Sequence, residues 1–149
     1  LDDIMTKYDI EKIKTIGDAY LCAAGLDERT ENLPTIQMVR AAQDILEFMN
    51  QLNEKKKKFG RPVFEIRLGI HSGPVTAGVV GKSKYAYDIW GDTVNTAARI
   101  ESSSEPGRIN ISGDAYASVK DEFKCQYRGK IQAKSKGEID MYFILSNSD

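Results

Sequence analysis

The chain has little of the chemistry that marks several large classes of protein. Its 149 residues include one histidine and two cysteines, and no signal peptide opens them. No apolar run approaches the roughly 20 residues that a membrane-spanning helix needs. Cys22 and Cys125 lie far apart and neither belongs to a CxxC pair, which predicts two reduced, mostly buried thiols of a cytosolic domain. His71 is expected to be a packed or turn residue rather than a base or a ligand.

The chain also lacks a strong charge of either sign. Lys and Arg number 21 and Asp and Glu 22, so the net charge is −1, which implies no broad attraction to nucleic acid or anionic membrane. A hydrophobic content of 41% and a mean hydropathy of −0.43 are typical of a soluble globular protein. The length suits one domain with a sizeable core. We therefore expect neither a nucleic-acid partner nor membrane contact by this domain.

Hydrophobic periodicity predicts an α+β domain without internal repeats. The predicted helices cover residues 1–8 (the tail of an element, which suggests a fragment), 35–58, 93–102 and 114–122. The predicted strands cover residues 10–16, 19–25, 64–70, 86–90, 108–112, 124–133 and 139–145, with a tight turn region at 73–81.

The long helix carries an apolar stripe and a basic end. The stripe alternates steps of four and three through Met38, Ala42, Ile45, Met49 and Leu52. Lys55 to Lys58 close the helix, where positive charge suits the C-terminal end; binding to acidic lipid or nucleic acid is the alternative interpretation.

Residues 85–101 are the most informative stretch. An aromatic, strand-like run ends at Gly91-Asp92, and a helix-like run follows with Asn95 and Arg99 four apart on one face. A helix start with an amide and a guanidinium suits a phosphorylated ligand. The ordinary alternative is a helix capped by Asp92 with a surface arginine.

Four ordered segments resemble the class III nucleotidyl cyclases, the adenylyl and guanylyl cyclase catalytic domain. They are Glu11 to Tyr20, Arg67 to Gly73 with Gly78-Val79-Val80-Gly81, Tyr87 to Asn95 with Ala98-Arg99, and Lys134 to Glu138. The resemblance implies a ferredoxin-like, antiparallel-rich sheet with helices packed on one face. It also implies that residues 1–149 form a single catalytic domain truncated at its N-terminus, lacking the first strand and helix.

The resemblance gives Lys14 and Asp88 the role of choosing the base. Adenine presents one acceptor and one amine donor, which a lysine and a carboxylate complement. Guanylyl cyclases resemble this chain but carry Glu at the Lys14 position and usually Cys at the Asp88 position. The residues present therefore imply ATP rather than GTP as substrate. Taken without the family, they are an exposed strand lysine and a strand-end aspartate.

The resemblance also implies the remaining site residues. Asn95 and Arg99 would orient the ribose and stabilise the α-phosphate transition state, and Lys134, with Lys136 as the neighbouring alternative, would contact the outer phosphates. Asp18, in a Gly-Asp turn, would be one of two aspartates that bind Mg²⁺ or Mn²⁺, with two ions per complete site. The second aspartate belongs to an upstream strand that Asp2 and Asp3 do not match. Within the family the two kinds of residue come from different subunits, which implies a homodimer.

Three other interpretations fit parts of the sequence. A cyclase-like module could bind nucleotide or dimerise without turnover, and a guanylyl cyclase is disfavoured by Lys14 and Asp88. A P-loop is suggested by Gly81-Lys82-Ser83, but Thr76 stands where Walker A needs glycine. The prediction is a cytoplasmic adenylyl cyclase domain, with a parent protein that could be membrane-anchored, forming cyclic AMP and pyrophosphate.

Overall fold

A computed structural model describes residues 1–26, 32–81, 86–134 and 136–146 of the chain, with the side chains of 86 and 87 left undescribed. Four helices are seen in these ranges: α1 (Asp2–Lys7), α2 (Leu33–Lys58), α3 (Asp92–Ser102) and α4 (Gly113–Val119). Eight strands accompany them: β1 (Glu11–Ile16), β2 (Ala19–Ala23), β3 (Leu68–Ile70), β4 (Thr76–Val80), β5 (Ala86–Trp90), β6 (Ile109–Ser112), β7 (Cys125–Ala133) and β8 (Gly137–Ile144).

The described strands pair in three hydrogen-bonded sets. Antiparallel hairpins join β1 to β2 and β4 to β5, and a four-stranded sheet has the order β3-β6-β8-β7. Among the described strands only β3 and β6 pair in parallel. The predicted α+β, antiparallel-rich fold is confirmed.

Strand β6 forms the centre of the core because all four of its residues are buried. Ile109 and Ile111 point to one face, where they pack in a cluster with Val39 of α2 and with Ala115 and Val119 of α4. The alternate residue Asn110 points to the other face, where its amide donates to the Ile100 carbonyl of α3 at 2.9 Å. Helices therefore cover both faces of the four-stranded sheet rather than the one face that was expected, and α3 forms a separate layer.

Close contact between α3 and the sheet depends on Gly69 in β3. A Cβ atom at Gly69 would lie 2.3 Å from the backbone nitrogen of Glu101, closer than non-bonded atoms can approach. Arg67 Nε adds an ion pair to the Glu101 carboxylate at 3.3 Å. The absence of a side chain at Gly69 therefore fixes the distance of α3 from the sheet.

The predicted strand at 64–70 is too long, because the observed strand begins only at Leu68. The Asn53 side chain takes both backbone groups of Phe64, donating to its carbonyl at 2.6 Å and accepting from its N–H at 3.0 Å. A backbone bonded in this way to α2 cannot also pair with a neighbouring strand.

The predicted turn region at 73–81 is wrong, since residues 76–80 form β4. Thr76, Val79 and Val80 are β-branched residues, which favour strands, and the register pairs Thr76 with Trp90. Gly78 leaves room for the Trp90 ring, whose nearest atom would lie 3.3 Å from a Cβ at that position. Of the Walker-like motif, Lys82 and Ser83 lie outside the described residues.

The two cysteines are free thiols in the structure, and both are less buried than the sequence led us to expect. Cys22 and Cys125 are unpaired and half-buried, and burial raises the pKa of both thiols. In the part of the chain that the structure describes, no helix combines the length and the apolar character needed to cross a bilayer.

Substituting Gly69 with Ala is expected to destabilise the fold by about 3 kcal/mol, the upper end of the usual cost of overpacking, because the contact is with backbone. Urea unfolding measures the effect. The control is Gly113→Ala, whose Cβ would meet Asp140 at an ordinary 3.4 Å. Equal stability of the two variants would contradict the close packing of α3.

Candidate active site

Lys14 and Asp88 meet although 74 residues separate them in sequence. Lys14 lies in β1 and Asp88 in β5, and the ammonium lies 3.0 Å from one carboxylate oxygen and 3.1 Å from the other. The lysine side chain is 41% exposed and the aspartate 22%, so both groups remain accessible to a ligand. The two residues predicted to choose the base are therefore neighbours.

The Asp88 carboxylate is held in its charged form. The hydrogen bond from Lys14 is the main reason that the pKa of Asp88 is lowered. The Ile89 N–H, which donates to the carboxylate at 2.8 Å, lowers this pKa further. Asp88 is consequently an acceptor throughout the physiological pH range.

Asn95 and Arg99 lie one turn apart on α3 and line an open cleft of about 390 Å³. Gln132, Ala133 and Lys134, at the end of β7, line the opposite side. The structure thus brings together three of the predicted site residues in one cleft, and two of these are cations.

The guanidinium of Arg99 is oriented by the backbone of β7. Its Nε donates to the Gln132 carbonyl at 3.1 Å, and within the described ranges no other protein partner binds the terminal nitrogens. One edge of the planar group is thus fixed by protein, while two nitrogens remain for ligand oxygens. The sequence did not indicate Gln132, because a backbone carbonyl leaves no signature in residue type.

The helix start differs from the sequence-based expectation. Asp92 was considered as a capping residue, but Gly91 is the N-cap and Asp92 is the first helical residue. Gly91 has φ +118°, a conformation that favours glycine, and its carbonyl accepts from Val94 and Asn95. The correct signal was Gly91 itself, which precedes an acidic first turn.

Lys134 and Lys136 occupy different positions in the structure. Lys134 lines the cleft that contains Arg99, whereas Lys136 pairs with Asp114 of α4 at 3.6 Å. The structure therefore favours Lys134 as the second cation of the cleft.

Asp18 does not line the cleft that contains Arg99 and lies in the exposed turn between β1 and β2. Within the described ranges, no group of three histidine, cysteine, aspartate or glutamate side chains could hold a metal ion. Asp18 can therefore offer one carboxylate, and further ligands would have to come from elsewhere.

His71 lies at the end of β3 and is bonded into the fold. Its Nδ1 lies 2.6 Å from the hydroxyl oxygen of Ser112, and that oxygen also accepts from the N–H of Ala115 as the cap of α4. Burial, followed by the charge of Lys136, lowers the pKa of His71. The contacts agree with the expected packed histidine.

Replacing Lys14 with Met is expected to raise the pKa of Asp88 toward its ordinary value, because the main group that stabilises its charge is removed. In the wild type the pair stabilises the fold above about pH 4, and this contribution is lost as pH falls through the depressed pKa. Carbon-13 NMR titration of the Asp88 carboxyl measures the shift. Lys12→Met, which removes the partner of Asp2 instead, is the control. An unmoved Asp88 titration in Lys14→Met would contradict the ion pair.

Comparison with known proteins gives a consistent family. Residues 1–146 match the sequence profile of the adenylate and guanylate cyclase catalytic domain. Guanylyl cyclase C of Sus scrofa is 42% identical over 152 residues, covering 99% of this chain and 14% of that protein. An adenylate cyclase of Mycobacterium tuberculosis is 35% identical over 145 residues, covering 97% of this chain and 31% of that protein.

A solved structure agrees with these sequence relatives. The guanylate cyclase domain of RhGC from Catenaria anguillulae, in complex with GTP, superimposes with a TM-score of 0.83 at 36% identity. The match covers 97% of this chain and 77% of the other. Of the two curated relatives, in contrast, the chain spans only 14% and 31% of the length. Its motifs, its fold and these matches together show that the chain belongs to the class III nucleotidyl cyclase catalytic domain family.

Proposed function

We propose that this domain converts ATP to 3′,5′-cyclic AMP and pyrophosphate. The observation that carries the choice of ATP is the contact between Lys14 and Asp88. The ammonium contacts both carboxylate oxygens, which still leaves further N–H donors on Lys14 and further lone pairs on Asp88 for a ligand. A lysine donor would face the ring-nitrogen acceptor of adenine, and an aspartate acceptor would face its amine. Guanine presents the opposite polarity.

The cleft lined by Asn95, Arg99 and Lys134, which we call the α3 cleft, suits the triphosphate end of the substrate. In the proposed reaction the ribose 3′-oxygen attacks the α-phosphorus, its proton passes to solvent or substrate, and the bond to pyrophosphate breaks. Negative charge grows on the phosphoryl oxygens, where the Arg99 guanidinium would stabilise it. Asn95, one helical turn away, would hold the ribose, and Lys134 would bind the outer phosphates.

Asp18 fits a role in binding a divalent cation. An exposed carboxylate on a tight turn provides the hard oxygen ligand that Mg²⁺ or Mn²⁺ prefers, with substrate phosphates completing the coordination. A bound ion would activate the attacking oxygen and neutralise phosphate charge. Cyclases of this family generally use divalent ions, and we propose two of them in the complete site.

We propose that the complete site forms between two copies of the chain. Asp18 does not line the cleft that contains Arg99, so the metal-binding and phosphate-binding groups lie apart within one chain. The hairpins carry exposed apolar side chains that a second copy would cover: Ile16, Tyr20, Val79, Val80 and Trp90. Because each copy carries both kinds of residue, a homodimer would contain two equivalent sites.

We further propose that the cleft between β2 and β3 receives an additional strand of the full protein. This cleft measures about 500 Å³ and is lined by Cys22 and Ala23 on one side and by Ile70 and His71 on the other. Among the described strands, β2 pairs only with β1, and β3 only with β6. A preceding segment could pair with both free edges and supply the second metal-binding aspartate.

The nucleotide substrate and the free thiols suit a cytosolic location.

Guanylyl cyclase activity is the second candidate, because guanylyl cyclase C is among the relatives of higher identity. Lys14 and Asp88 favour ATP, since overall identity reports the shared fold whereas base choice depends on the few side chains that face the purine. A non-catalytic module is disfavoured by the cations of the α3 cleft, and absence of turnover by the full-length protein with Mn²⁺ would favour it.

Substituting Arg99 with Ala is expected to lower kcat by about 10²–10³, the usual loss when one preorganised donor to a transition state is removed. Cyclic AMP formation by the full-length protein measures the rate. Arg40→Ala is the matched control, because Arg40 is an exposed arginine that pairs with Glu122. Equal rates for the two variants would exclude Arg99 from the site.

The double variant Lys14→Glu with Asp88→Cys is expected to shift the ratio of kcat/KM from ATP toward GTP by at least tenfold. Reversed hydrogen-bonding polarity would complement guanine instead of adenine. The control is Lys12→Glu, on the same strand and outside the pair. An unaltered nucleotide ratio in the double variant would show that base choice lies elsewhere.

A further inference from the structure

The second half of α2 extends beyond the core of the domain. All of its buried residues, Thr35, Val39, Ala41 and Ala42, lie in the first half of the helix. Among the described residues, Leu46 is the last residue of α2 that packs against either apolar cluster. The remaining three turns, to Lys58, therefore extend past both clusters, although Met49, Leu52, Asn53 and Lys56 are still half-buried.

This end of α2 displays phenylalanine rings to solvent. Phe59, which ends the helix, is 76% exposed, and Phe64 is 60% exposed. Phe48 is also exposed, and because it lies three turns before Phe59 the two rings project from the same side of the helix. Phenylalanine has no polar atom to present to water, so such exposure at a helix end needs a functional explanation.

The segment after the helix is fixed in place rather than loose. The two hydrogen bonds from the Asn53 side chain hold the backbone of Phe64 against α2. The Lys56 ammonium lies 4.4 Å from the centre of the Phe64 ring, a cation–π distance. We call residues 53–64, together with Phe48, the α2 tip.

The α2 tip is strongly basic in a chain that is nearly neutral. Residues 53–64 contain Lys55, Lys56, Lys57, Lys58 and Arg61 against a single carboxylate, Glu54, whereas the whole chain has a net charge of −1. Glu54 is paired with Lys57 at 3.8 Å. Positive charge is therefore concentrated at the same end of the molecule as the exposed rings.

We propose that the α2 tip docks on an anionic lipid bilayer. Lysines that flank exposed aromatic rings match a membrane interface, where the rings enter the acyl boundary and the ammonium groups remain with anionic headgroups. A second copy of the chain suits this surface poorly, because two tips of like charge repel each other. Net charge alone predicted no membrane contact, because the average conceals this segregation of charge.

Vesicle sedimentation tests the proposal. The protein is mixed with phosphatidylcholine vesicles containing 30% phosphatidylserine or none. We expect binding to the anionic vesicles only, with release in 0.5 M NaCl. Lys55→Gln with Lys58→Gln should weaken binding about 30-fold, from about fivefold for each lysine. Phe59→Ser with Phe64→Ser should weaken it at least about tenfold.

Matched control variants distinguish binding by the α2 tip from a general effect of lost charge or lost apolar surface. Lys120→Gln with Lys124→Gln removes the same charge from another exposed region, and Leu33→Ser removes an exposed apolar residue from the other end of α2. Both controls should bind as the wild type does, and circular dichroism should show that all variants are folded. Failure to bind anionic vesicles, equal loss in tip and control variants, or binding to single-stranded RNA in place of vesicles would overturn the proposal.

Discussion

The contact between Gly69 and the backbone of α3 is the constraint on which the phosphate side of the site depends. Because no side chain intervenes, α3 approaches the four-stranded sheet closely enough for Asn110 to bond the Ile100 carbonyl. That position places Arg99 one hydrogen bond from the carbonyl of Gln132 in β7. Steric exclusion inside the domain thus determines the orientation of a cation at its surface.

The side of the site that we propose chooses the base depends on a different interaction. Lys14 and Asp88 lie on separate hairpins, and neither hairpin pairs with the other through backbone hydrogen bonds among the described strands. Their ion pair at 3.0 Å is therefore an important contact between the two hairpins. It is also the proposed source of base choice. Because both side chains are partly exposed, we expect purine specificity to change with few substitutions. A base choice that rests on so few side chains would be consistent with relatives that include both guanylyl and adenylate cyclases.

The sequence predicted those parts of the fold where residue type is decisive. The β1–β2 hairpin, β5 and α3 follow from turn residues and apolar periodicity. The resemblance named Asn95, Arg99 and Lys134 of the cleft, but not Gln132, whose backbone carbonyl bonds Arg99. Prediction from the sequence failed where a residue distant in sequence determined the local secondary structure. Asn53 removes Phe64 from the sheet, and pairing with β5 makes a strand of a glycine-containing segment that resembled a turn. The exposure of Phe59 was equally invisible, because periodicity cannot show where a helix passes the edge of its core.

The measurement that tests the central claim most directly is a comparison of the two nucleotides with the wild-type, full-length protein and Mn²⁺. Initial rates of cyclic AMP formation from ATP and of cyclic GMP formation from GTP give the two values of kcat/KM. The contact between Lys14 and Asp88 predicts that ATP is preferred by at least tenfold. A preference for GTP would contradict the assignment of base choice to this pair.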